Sequence, residues 1–308
     1  MQLALKIDVD TLRGTREGLP ALLRVLAQQR ADATFLFSLG PDHTGRALRR
    51  VFRPGFFGKV TRTSVLEHYG LRTLLYGTLL PGPDIARRAG GCMRSARAAG
   101  HEVGVHCYDH TAWQDLLSRR DADWARGQMQ RAVQRFGEVF GEAPRVHGAA
   151  GWQVTEAALA AEEEMGFVYA SDTRGTGPFV PWLGDRVSRC PQLPTTLPTL
   201  DELIGTGGLH PANVHERLLA LTDPRAQPAA TRGSASHVFT LHAELEGMKL
   251  RAVLERLLAG WRAQGYELVA LRTLLAELSI EALPAARVQA GTVPGRSGTL
   301  AVQGAGAA

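Results

Sequence analysis

Asp8-Val9-Asp10 closes an apolar run that starts at Leu3, and His106 and His110 form an H-x-x-x-H pair at the end of a second run, Glu102-Val103-Gly104-Val105. Side chains two apart on a strand leave the same face, so Asp8 and Asp10 stand side by side. Two buried like charges persist there when a cation or a proton compensates them. A helical turn after a strand brings positions i and i+4 to one side, which places His106 and His110 together. Two neutral imidazoles and one carboxylate are a common ligand set for Zn²⁺ and related ions and leave positions open for water. The parts suit metal-assisted hydrolysis, with Asp10, His106 and His110 on the ion and Asp8 as base. Each motif alone also has a plainer reading: carboxylates capping a turn or binding Arg13 or Arg16, and capped or surface histidines.

Further candidates lie at the ends of other apolar runs. His242 closes Val238-Phe239-Thr240-Leu241 and is placed to protonate a leaving amine. Asp172, after Tyr169-Ala170-Ser171, is placed to orient that imidazole. Gly148-Ala149-Ala150-Gly151-Trp152 is a small-residue loop through which a substrate can approach the backbone. Trp152 is there either a sugar-stacking face or a core residue.

These positions require a scaffold that gathers strand ends. Strands are expected at 2–9, 32–38, 102–106, 145–149, 167–171, 187–190, 237–242 and 266–270. Helices are expected at 16–30, 84–99, 121–140, 153–165, 212–222, 247–264 and 271–278. Gly100, Gly141, Gly166 and Gly265 follow helices where a left-handed cap is wanted. The alternation argues an α/β fold with a parallel sheet, and chemistry at the strand C-terminal ends argues a barrel. No glycine-rich phosphate loop follows the first strand, which disfavours a dinucleotide-binding open sheet.

The chain has 308 residues and a formal net charge of +5. That balance favours anionic partners such as phosphate or an acidic membrane surface. Its basic residues concentrate in an insertion at 41–83, where Arg46, Arg49, Arg50, Arg53, Lys59 and Arg62 alternate with Val51, Phe52, Phe56 and Phe57. That interleaving suits an interfacial helix touching lipid phosphate, or a hairpin packed on the barrel. The three cysteines fit a reducing compartment. With no leader or spanning segment expected, the location read from sequence is cytoplasmic. Residues 284–308, rich in Gly, Ala, Ser and Pro, are expected to be a disordered tail after one domain of residues 1–280.

Asp8-Val9-Asp10, the His106/His110 pair, Asp172 and Leu241-His242 follow in order the motifs of the polysaccharide deacetylases, which this chain resembles over about residues 2–278. The resemblance implies a distorted (β/α) barrel and metal-dependent N-deacylation of an amino sugar. Longer phrases, Ile7–Gly18, Ala149–Trp152, Leu193–Thr199 and His242–Gly247, resemble the family's deformylase branch. That branch implies an N-formyl arabinose joined through phosphate to undecaprenol as substrate, met at the cytoplasmic leaflet of the inner membrane and serving lipid A modification and resistance to cationic peptides. It implies one divalent ion (Zn, Co, Mn or Ni), Asp8, His242 and Asp172 as catalytic residues, substrate contacts from Gly151, Trp152 and Arg174, and no nucleic acid. One departure stands out. The family's third motif carries an Arg that holds the base, whereas here that strand reads Arg145-Val146-His147-Gly148, and Arg174 is the candidate to replace it. Competing readings are an N-deacetylase of cell-wall or chitin-like sugars and a non-catalytic lipid-phosphate binder.

Overall fold

Residues Gln2–Val9 form a strand (β1) that is buried at every position. Its odd positions, Leu3, Leu5, Ile7 and Val9, belong to the large apolar core shared with the helices. Its even positions point the other way, and Ala4 packs with Leu36, Val146, Tyr169, Leu193, Val238 and Val269 inside the sheet. A strand covered on both faces reads as a near-continuous apolar run. Lys6 and Asp8 are the interruptions on the inner face. The structure, a computed structural model, describes residues 1–47, 70–226 and 236–306.

The strands that follow are β2 (Thr34–Ser38), β3 (Glu102–Cys107), β4 (Val146–His147), β5 (Tyr169–Ala170), β6 (Val180–Leu183), β7 (Arg186–Val187), β8 (His237–His242) and β9 (Glu267–Val269). The main sheet runs β5-β4-β3-β2-β1-β8, with β9 also paired to β1. Its ladders are parallel: Lys6–Val9 pair with Thr34–Phe37, and Leu3–Asp8 pair with His237–His242. The sheet curls, and the gap between β5 and β8 is bridged by an extended segment. Leu193 N–H donates to Ala170 O (2.8 Å) and Thr196 N–H to Val238 O (3.1 Å). Pro191 and Pro194 lack the N–H a regular strand would need, which distorts the barrel at this seam.

Helices Ile85–Ala98, Ala122–Phe140 and Glu156–Glu164 cover the outside, each started by a side chain that accepts a first-turn N–H: Asp84, Asp121 and Thr155. The four expected cap glycines, Gly100, Gly141, Gly166 and Gly265, all have positive φ.

Two expectations fail. Residues 187–190 do not form a strand as a unit; the local ladder is an antiparallel pairing of β6 with β7, which ends at Val187. The segment from 284 is not a disordered tail. Residues Ala285–Gly291 (β10) and Leu300–Gly306 (β11) form an antiparallel hairpin, and β10 also pairs with β6. Arg174 is tied into it from both sides, through Arg174 N–H to Ala301 O (3.0 Å) and Gln303 N–H to Arg174 O (2.8 Å). Small residues hide this segment from hydrophobic periodicity because its order comes from backbone pairing at a sheet edge. Limited proteolysis should therefore leave 285–306 attached, and a chain ending at Leu283 should melt at lower temperature. Rapid trimming to about residue 284 without loss of Tm would contradict the hairpin.

Candidate metal centre and active site

Asp10, His106 and His110 converge above the C-terminal ends of β1 and β3, each offering a ligand atom within 4.8 Å of the others. His106 Nε2 lies 3.3 Å from Asp10 Oδ1, and His110 Nε2 lies 3.4 Å from Asp10 Oδ2. Those separations are long for charge-assisted hydrogen bonds. They are what two ligands show when each sits about 2.0–2.2 Å from one shared ion. His106 Nδ1 is 2.6 Å from Gly148 O. A carbonyl only accepts, so Nδ1 carries the hydrogen and Nε2 presents its lone pair towards Asp10. Asp10 Oδ1 is buried without a hydrogen-bond partner, as a carboxylate awaiting a cation would be. Burial alone would raise the Asp10 pKa, but His110, His106 and His242 outweigh it and hold the carboxyl well below its ordinary value.

Asp8 is buried beside this group. Its Oδ1 has no hydrogen-bond partner and lies 3.8 Å from His106 Nδ1, while Oδ2 lies 3.8 Å from Lys6 Nζ. Lys6 is fully buried and donates to Ser171 O at 2.6 Å. Nothing in the sequence reading singled it out. The signal was present: a lysine in an apolar strand, two residues before an aspartate and so on the same face.

His242 ends β8 directly opposite Asp8 in the ladder. Burial lowers its pKa, and the charges of Asp10, Asp201, Glu246 and Asp8 overcome that, leaving it raised. Its backbone N–H donates to Glu246 Oε2 at 2.8 Å. Glu244 Oε1 accepts from Asp10 N–H (3.1 Å), Thr11 N–H (2.8 Å) and Thr11 Oγ1 (2.7 Å) and so fixes the turn that aims Asp10. Both carboxyls are pushed up by burial, Glu244 to about 8 and Glu246 to about 7.

Three expected roles change. Asp172 does not orient His242. It pairs with His147 Nδ1 at 3.0 Å and accepts from Ala149 N–H (2.7 Å) and Gln192 Nε2 (2.6 Å), so it braces the 148–151 loop. Trp152 is not a sugar-stacking face. It is 1% exposed and sits among the cations of Arg174, Arg296 and Lys6, 4.4–5.4 Å from its ring centroid. Arg174 does not hold Asp8; it donates to Glu202 Oε1 (2.5 Å) and to Leu197 O (2.9 Å). Gly151 keeps its place in the loop at φ 62°, and a Cβ there would run into Gln114. The N–H groups of Gly148 and Ala149 are committed to Val105 O and Asp172 Oδ1. Arg46 binds Gly77 O at 3.0 Å. Arg49, Arg50, Arg53, Lys59 and Arg62 lie outside the described residues.

With this geometry established, similarity to known proteins is informative. Residues 4–170 match the polysaccharide deacetylase family model. The chain is 34% identical over 98% of its length to a Shewanella sediminis protein, covering 94% of that protein, named probable 4-deoxy-4-formamido-L-arabinose-phosphoundecaprenol deformylase ArnD. It is 30% identical over 94% of its length to a Wigglesworthia glossinidia brevipalpis protein of the same name, covering 98% of it. A crystal structure of a polysaccharide-deacetylase-type protein from Mycobacterium smegmatis superposes with a TM-score of 0.63 at 20% identity, covering 95% of this chain and 94% of that one. The chain belongs to the polysaccharide deacetylase family. Within it, the two curated relatives carry the deformylase name.

His147, Glu162 and Asp172 form a second buried cluster, already closed by its own hydrogen bonds, with His147 Nδ1 2.6 Å from Glu162 Oε1. Burial lowers the His147 pKa, but Asp172 and Glu162 raise it to about 10. Burial raises Asp172, but His147 brings it down to about 2. The imidazolium form is thus favoured in the fold. Its stabilisation is fully present below the ordinary histidine value of 6.5 and is lost as pH rises through about 10. Asp172 adds stability present above 3.8 and lost as pH falls through about 2. His147→Gln should cost about 3–5 kcal/mol, since it leaves the buried Asp172 carboxylate uncompensated. It should also flatten the decline of Tm between pH 7 and 10. Melts of equal alkaline slope in both proteins would show that His147 does not carry this proton.

Proposed function

We propose that this protein is a metal-dependent deformylase that hydrolyses the formamide of 4-deoxy-4-formamido-L-arabinose phosphoundecaprenol, releasing formate and the 4-amino sugar lipid for lipid A modification. The observation that carries the reading is the Asp10–His106–His110 group with the unpartnered Asp8 Oδ1 beside it, in a chain whose curated relatives bear that name. Asp10, His106 and His110 would hold a divalent ion, which would supply Lewis acidity for the formyl group and the attacking water.

The chain's own residues do the rest. Asp8 Oδ1 takes the water proton as the water adds to the formyl carbon. His242, whose pKa is raised by Asp10, Asp201, Glu246 and Asp8 against the effect of burial, gives a proton to the departing nitrogen. Gly148 O holds His106 in the tautomer that leaves Nε2 free. Glu244 and Glu246 fix the two turns that carry Asp10 and His242.

The same proposal places the enzyme on the cytoplasmic leaflet. No helix among the described residues is long and apolar enough to cross a membrane. Leu71, Leu79 and Leu80, on the described flank of the basic insertion, are exposed at 68%, 81% and 38%. Apolar side chains beside a basic segment suit shallow insertion among anionic headgroups.

Incubation with the formamido-arabinose lipid should yield a product lighter by one formyl group together with free formate, and a chelator should abolish both. Asp8→Asn should keep its metal and lose turnover by about three orders of magnitude or more. Near-normal turnover of that variant would refute the assignment of the base. Reversing the charges of Arg49, Arg50, Arg53, Lys59 and Arg62 should weaken sedimentation with anionic vesicles more than hydrolysis of a short-chain analogue. Equal loss in both assays would mean the insertion serves the fold alone.

A further inference from the structure

We propose that Lys6 is the positioning residue for the catalytic carboxylate: its buried ammonium holds Asp8 through Oδ2 and leaves Oδ1 open to accept the proton. The inference rests on the deacylase reading of the site and names the group that orients the base.

Lys6 has no exposed surface, an uncommon state for a lysine. Burying an ammonium costs several kcal/mol unless it is paired and hydrogen-bonded. Its partners are Ser171 O at 2.6 Å, Asp8 Oδ2 at 3.8 Å and the face of Trp152 at 5.4 Å. Alternation along β1 puts Lys6 directly beneath Asp8 on the inner face. The Ser171 carbonyl anchors the ammonium from below, so the charge is fixed in place.

Space for it is provided by another strand. A Cβ on Gly148 would sit 3.2 Å from Lys6 Cε and 3.3 Å from Nζ, and 2.3 Å from Leu36 Cδ1. The glycine that follows β4 thus clears the volume the lysine fills. The same glycine's carbonyl orients His106, so one residue sets both the base and a candidate metal ligand. Asp8 Oδ2 and Oδ1 are thereby unlike: Oδ2 lies beside the Lys6 ammonium, while Oδ1 lies 3.8 Å from His106 Nδ1 with no hydrogen bond.

Three variants of the full chain test this: Lys6→Met, Lys6→Gln and Lys6→Arg. Glutamine can still donate to Ser171 O but carries no charge, arginine keeps the charge, and methionine keeps neither. If Lys6 positions the base, Lys6→Met and Lys6→Gln lose kcat by about 30-fold or more while KM stays within about threefold and bound metal stays stoichiometric. Lys6→Arg recovers at least about a tenth of wild-type kcat. A crystal structure of Lys6→Gln then shows the Asp8 carboxylate turned away from its wild-type orientation. Should a neutral variant fail to fold by circular dichroism, Lys6→Arg decides: retained kcat supports the role, and a loss equal to that of Asp8→Asn overturns it. Lys6→Gln with wild-type kcat and an unmoved Asp8 would overturn it too, leaving the lysine a structural donor to Ser171. Failure of the deformylase reading is seen separately, as wild-type protein that releases no formate. In that case the Asp8 orientation in the Lys6→Gln crystal still reads out the positioning role.

Discussion

Two aspartates, Asp8 in β1 and Asp10 just past its end, set the terms for everything around them. Unit charges about 6.7 Å apart, the i, i+2 spacing of a strand, repel by about 2.5 kcal/mol at an effective dielectric of about 20. Burial adds a desolvation cost to each. The fold answers with one ammonium and three imidazoles. Lys6 sits below Asp8, His106 and His110 face Asp10, and His242 stands across the ladder from Asp8. The imidazoles favour the charged Asp10; the Gly148 carbonyl aims the His106 ring, and Glu246 holds the backbone N–H of His242. An acidic pair that would destabilise a bare strand becomes part of a pocket whose Asp10, His106 and His110 offer the donor atoms of a candidate cation site.

The supports around this pocket are carboxyls and glycines. Glu244 and Glu246, both deeply buried, each spend one oxygen on the backbone N–H groups of Asp10, Thr11 and His242. Asp172 performs the same service for Ala149 and is itself held by the His147 imidazole. Backbone N–H groups at strand ends have no ladder partner, and an acceptor that supplies one fixes the chain direction at the point where a ligand side chain leaves it.

Much of this was legible in the sequence. Asp8, Asp10, His106, His110 and His242 stood out because charge at the end of an apolar run is rarely idle, and the structure gathers all five. The α/β rhythm and the cap glycines followed from periodicity and from the left-handed backbone that glycine tolerates. Partner assignments were not legible. Asp172 and His242 both end strands of the same barrel, and only three dimensions show that the short β4 and β5 steer Asp172 towards His147. Trp152 looked available because its neighbours are small; Arg296, which covers it, comes from a segment whose Ala and Gly content gave no hydrophobic period. Lys6 was overlooked because one lysine in a strand carries no motif.

The glycines at 14, 18 and 247 have a consequence for how the protein comes into being. A methyl group on Gly14 would strike Glu244, one on Gly18 would strike Ala243 O, and one on Gly247 would strike Gly18 O, so two π-helical turns, Gly14–Gly18 and Leu245–Lys249, lie backbone against backbone. The first belongs to the opening of the chain and the second to its last third. On the ribosome, the turn bearing Asp10 therefore waits without its acceptor until the later turn has emerged. So long a loop makes this a slow contact to close, and a nascent chain stalled before Glu244 would lack the acceptor for the Asp10 N–H.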